Sequence, residues 1–155
     1  MKITALPTAL VQHWREGGPD AHGQAPETAV SDGSGVPCRH CLSMVAEGRP
    51  YLILAHRPFD ALQPYAECGP IFVCAEDCAR FDGTETALPP AFTASPDYLI
   101  KGYSAQDRIV YGTGMIAPQQ ALPAHAADIL ADPGVAYVHV RSARNNCYLA
   151  RIDRH

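Results

Sequence analysis

The chain has 155 residues, 47% of them hydrophobic and 18% charged, with a formal net charge of −4 at pH 7. This is the length of one domain, 1–155, able to bury roughly 70% of its unfolded surface without covalent staples. No Lys/Arg-rich stripe marks a nucleic-acid footprint, and no stretch approaches the ~20 apolar residues of a membrane span. The opening Met1-Lys2-Ile3-Thr4-Ala5-Leu6-Pro7 lacks the apolar run of a secretory signal, so a soluble cytoplasmic protein with neither nucleic-acid nor membrane partner is expected.

In chain order, residues 2–6 read as a short strand. Thr8 is placed to cap a brief helix running to Trp14 and Glu16, which Gly17-Gly18-Pro19 stops. Residues 17–37, rich in Gly, Pro, Ser, Asp and Ala, read as one long loop. Tyr51–His56 is a compact β-rich run, and Ile71-Phe72-Val73 is a short strand entering Cys74. Leu88–Phe92 opens a helical turn, since proline suits first-turn positions. Tyr98–Tyr103 and Arg108–Gly112 read as a hairpin about Ser104–Asp107. Residues 119–131 are the best helix, with Pro123 in its first turn and Asp132-Pro133-Gly134 ending it. Val135–Ser142 alternates, turns at Ala143–Asn146 and returns as Cys147–Asp153. Fourteen prolines and twelve glycines break the chain into short pieces. The expected fold is α+β: one domain, a mostly antiparallel sheet, a few short helices and many loops.

Six cysteines in a reducing compartment are metal ligands, redox groups or core residues before they are disulfides. Four form two close pairs, Cys38-Arg39-His40-Cys41 and Cys74-Ala75-Glu76-Asp77-Cys78. A metal needs ligands from tight turns, and each pair can touch one ion. Together they offer four thiolates, enough to fill a tetrahedral zinc shell with no position open to substrate. Soft sulfur favours zinc over magnesium or calcium. The expectation is a structural zinc on Cys38, Cys41, Cys74 and Cys78 in a binding or interaction module. Two alternatives stand beside it. The cysteines can be packed as small apolar residues, or Cys38/Cys41 can be a thiol redox pair activated by Arg39 and His40. Gly48-Arg49-Pro50 leaves little room for the helix that thiol oxidoreductases place after C-x2-C. Cys68 and His40 are substitute ligands.

A second constellation lies near the C-terminus. Tyr137, His139 and Arg141 share one strand face, with Arg144, Asn145 and Cys147 following in the turn. Tyr137, His139, Arg141, Arg144 and Asn145 form a candidate site for a small anionic ligand, because Arg grips carboxylate or phosphate bidentately. His139 and Cys147 are candidates for proton transfer and nucleophilic attack in a small-molecule enzyme. The plainer reading is a half-exposed sheet face with a satisfied histidine. Glu76 and Asp77 read as solvated turn residues, His125 as a surface or core-edge residue. Tyr111-Gly112-Thr113-Gly114 lacks the full spacing of a dinucleotide loop.

Pro37-Cys38-Arg39-His40-Cys41-Leu42, Gly69-Pro70-Ile71-Phe72-Val73, Cys78-Ala79-Arg80 and Val135 through Arg154 resemble an uncharacterised bacterial family, the domain of unknown function DUF1203. The resemblance covers most of the chain outside 17–37. In that family's pattern the position of Cys74 often carries His, and either residue ligates zinc. The resemblance implies no catalytic residues and no reaction.

Overall fold

Residues 1–83 and 88–154 are described by the computed structural model. Their elements, in order, are β1 (Lys2–Thr4), α1 (Thr8–Arg15), β2 (Glu27–Val30), β3 (Pro50–His56), β4 (Gly69–Cys74), β5 (Asp97–Tyr103), β6 (Met115–Pro118), α2 (Leu122–Ala131), β7 (Tyr137–Ser142) and β8 (Tyr148–Asp153). Short 3₁₀ turns cover Pro90–Thr93 and Gln119–Ala121. Five strands form one sheet in the order β1-β8-β7-β5-β6, and three form a second, β2-β3-β4. Every pairing between these strands is antiparallel, which is the expected α+β class. Among the described residues no helix is long and apolar enough to cross a membrane.

The large sheet is buried on both sides. On β7, Val138 and Val140 pack in one core with Leu122, Ala126, Ile129 and Leu130 of α2. The alternate residues Tyr137, His139 and Arg141 face the other way and are buried too, which corrects the half-exposed face expected from alternation. Phe59, Tyr103 and Tyr148 lie against His139 there, with ring centroids 5.2, 4.6 and 5.0 Å away. The β7–β8 register slips between Val140 and Arg141, so Leu149 and Ala150 both join the α2 core. A second core joins Val11 and Trp14 of α1 to Leu52, Leu54, Ile71 and Val73 of the small sheet and to Tyr148.

Four local expectations are corrected. Thr8 does not cap α1: Pro7 occupies the cap position, and the Thr8 hydroxyl is spent on His40 Nε2 at 2.9 Å. The stretch 17–37 is not one loop, because Glu27–Val30 pairs with β3. Its composition hides that edge strand, which leaves Val30 67% exposed. The return after Ser104–Asp107 is not a strand over 108–112. A bridge joins Tyr103 and Ile109, and the strand that follows β5 and pairs with it is Met115–Pro118. The helix expected from 119 begins at Leu122 after a 3₁₀ turn, with Pro123 in its first turn.

Candidate metal centre

The first cysteine pair sits on a knuckle. Pro37 bridges Met44, Cys38 N–H donates to Ser43 O at 2.9 Å, and Leu42 N–H donates to Cys38 O at 3.0 Å. Leu42 closes the turn with φ +50°, a left-handed conformation that costs a branched side chain about 1–2 kcal/mol and needs support from its surroundings. That support is burial: Leu42 is fully buried in the α2 core. The knuckle is laid beside β4, where Cys38 bridges Phe72 and Arg39 N–H donates to Phe72 O at 3.1 Å. The second pair begins on the last residue of β4, Cys74, and ends after the turn at Cys78. The register of β4 thus delivers Cys74 beside Cys38.

The four sulfurs of Cys38, Cys41, Cys74 and Cys78 lie within 4.8 Å of one another, and Cys41 Sγ is 4.0 Å from Cys74 Sγ. A zinc ion holding four sulfurs at ~2.3 Å sets them ~3.8 Å apart, so the observed spread needs only a small contraction. No disulfide joins any of them. The cluster can hold a metal ion. His40 and Cys68, the substitute ligands, lie outside it: Cys68 is exposed, with its sulfur 3.8 Å from His22 Nε2.

Donors point at the sulfurs. Cys38 Sγ accepts from the backbone N–H groups of His40 at 3.4 Å and Cys74 at 3.2 Å. Cys78 Sγ lies 3.1 Å from His40 Nδ1 and accepts from Arg15 Nη2 at 3.2 Å. Thr8 Oγ1 lies 2.9 Å from His40 Nε2, and when that hydroxyl donates there the ring's proton sits on Nδ1 and is given to the sulfur, the arrangement that favours thiolate. Arg15 also donates to Cys74 O at 3.0 Å and pairs with Asp77 at 3.0 Å. Asp77 is a solvated turn residue as expected, its side chain 94% exposed while it pairs with Arg15. Glu76 pairs with Arg49 at 2.7 Å on the surface. Four sulfurs this close cannot all ionise without a cation. Hydrogen bonding among them, led by the Cys41 contact, pulls the Cys38 thiol down to about 6. The Cys38 contact pulls Cys78 down as well, and pushes Cys41 and Cys74 up.

His139, Arg141 and Arg144 each line a different cleft, and Asn145 and Cys147 line two of the three. Tyr137 stacks on Tyr103 and donates to Asp107 Oδ1 at 2.7 Å. His139 is buried among aromatic rings, and burial keeps it well below its ordinary pKa, aided by Arg141 and Arg151. It lines a cleft of about 480 Å³ that Leu10, Trp14 and Phe59 also wall. Arg144, Asn145 and Cys147 line a different cleft with Arg39 and Tyr98. Arg141, Asn145 and Cys147 line a third, where the accompanying histidine is His56. Sequence reasoning missed Arg15, Thr8, His56 and Glu67. Arg15 lies 63 residues from Cys78, and no local pattern announces such a contact.

No curated protein and no solved structure matches the chain. Residues 35–154 match the family described as protein of unknown function, DUF1203, and this stretch contains both cysteine pairs and the whole of the large sheet except β1. With well over half of its length matched, the chain belongs to the DUF1203 family.

Proposed function

We propose that Cys38, Cys41, Cys74 and Cys78 hold one structural zinc ion, and that the protein is a binding module whose shape this ion fixes. The observation that carries the reading is the convergence of two turn-borne cysteine pairs from different parts of the chain, all four sulfurs within 4.8 Å. Four sulfurs complete a tetrahedral shell and leave no site for a reacting water. Soft donors select zinc among the abundant divalent ions. The backbone and side-chain donors around Cys38 and Cys78 offset the negative charge that four thiolates leave on a divalent ion. The setting is a reducing cytoplasm, where thiolates stay available as ligands.

The competing enzyme reading makes Cys38/Cys41 a redox pair. It is disfavoured by full burial of Cys38 and by a knuckle where such enzymes carry a helix. Metal analysis with thiol titration of the full chain separates the two. One zinc per chain, with four protected thiols and only Cys68 and Cys147 reacting quickly, supports the module. A metal-free protein with a fast-reacting thiol at Cys38 or Cys41 refutes it.

A further inference from the structure

Away from the cysteines, one buried charge is incompletely satisfied. Arg141 of β7 is 4% exposed. Its Nη1 donates to Asn146 O at 3.1 Å. Its Nη2 stands 3.2 Å from Glu67 Oε1, near enough for charge pairing but without hydrogen-bond geometry. Its Nε has no hydrogen-bond partner among the described residues. Nε and Nη2 form the side-on edge of the guanidinium, the pair of donors that grips a carboxylate or phosphate bidentately. The β7–β8 irregularity at Val140/Arg141 is of the kind that re-aims a side chain beside a site.

Arg141 lines a cavity of about 170 Å³, together with His56, Glu67, Asn145, Cys147 and Tyr148. His56 is 8% exposed, and its Nε2 is also buried without a partner among the described residues. Among the described residues Glu67 is the one acidic residue lining this cavity. Its carboxylate is shared between Arg141 and Lys101, each at 3.2 Å, and takes contacts from Tyr103 Oη at 3.3 Å and Asn146 Nδ2 at 3.4 Å. One carboxylate thus answers two cations. Buried guanidinium donors left unmatched are costly, and a second anion at this place removes the deficit.

We propose that this cavity binds a small-molecule oxyanion, a carboxylate or phosphate group, on the side-on edge of Arg141, with His56 and the Asn145 amide as neutral donors. Glu67 competes for the same guanidinium and so sets the affinity. The site shares no residue with the cysteine cluster.

The test is an NMR titration of the zinc-loaded full chain at pH 7 and constant ionic strength, using acetate and inorganic phosphate as probes. Arg141 Nε–H and the His56 ring are the reporters. Saturable shifts with at least one probe are expected. Affinity should fall at least ten-fold in Arg141→Lys, which keeps the charge but loses the fork, and rise several-fold in Glu67→Gln. Saturation by only one probe supports the site and names the head group. No saturable shift with either probe, or unchanged affinity in Arg141→Lys, overturns the proposal. Should Arg141→Lys fail to fold, Glu67→Gln decides: raised affinity supports the site, unchanged or lowered affinity overturns it.

Discussion

At Cys78 one sulfur meets two side chains from distant elements, His40 on the knuckle and Arg15 on α1. Neither belongs to the four-sulfur cluster, yet each meets the sulfur at hydrogen-bond distance. Replacing such a partner weakens metal binding by about 10–100-fold. His40→Ala is therefore expected to lose zinc affinity on that scale in competition with a chromophoric chelator, while Cys78→Ser loses far more. Equal affinity in His40→Ala and the native chain would remove His40 from the account. A second residue-scale effect belongs to His56, which burial holds down at about 4, aided by Arg39, Arg57 and Arg141, against an ordinary 6.5. The folded state prefers the neutral ring. Its contribution is complete above pH 6.5 and is lost as pH falls toward 4, because the unfolded chain takes up a proton that the folded chain refuses. The shift is worth roughly 3 kcal/mol between those limits. His56→Phe, which cannot titrate, should show a shallower loss of urea stability between pH 7 and pH 4.5. An unchanged slope would mean that other groups govern the acid limb.

At the scale of elements, β5 is the strand whose packing is tightest at a glycine. A Cβ on Gly102 would stand 2.9 Å from Ile129 Cγ2 of α2, 3.0 Å from Thr113 Oγ1 and 3.1 Å from Val135 Cγ2. Overpacking of this kind costs about 1–3 kcal/mol, so Gly102→Ala should lower the urea midpoint with little change in the slope of unfolding. A neutral result would show that α2 can slide on the sheet. The alternation of Val138 and Val140 against Tyr137 and His139 reveals a strand correctly, but the pattern holds no sign of what covers each face. The polar-looking side is buried because Phe59, Tyr103 and Tyr148 arrive from three other segments. Arg108–Gly112 reads as strand from its β-branched and aromatic residues. In the fold Val110 N–H is drawn to Gly102 O and Thr113 Oγ1 to Val110 O, a turn that delays pairing until Met115. Thr8 reads as a cap because threonine suits that role locally, and a residue 32 positions away claims it instead.

At the scale of the molecule, the proposed ion ties the knuckle at 36–45 to the end of β4 and, through Arg15, to α1. The α2 core holds Leu42 of the knuckle but none of the four cysteines. Chelation of the zinc should therefore raise amide exchange in the knuckle and α1 well before β7 and β8, and lower the thermal midpoint of the whole chain. Uniform loss of protection would indicate one cooperative unit instead. The candidate centre was legible in the sequence because each pair is local, and a tight turn constrains both of its sulfurs. The meeting of the pairs is not local. It follows from the β3–β4 register and from the laying of Cys38 beside Phe72, both fixed by long-range burial.

X-ray absorption at the zinc edge of the metal-loaded full chain tests the central claim most directly. The account predicts a single shell of four sulfur scatterers at ~2.3 Å. A shell containing nitrogen or oxygen, or fewer than four sulfurs, would contradict it.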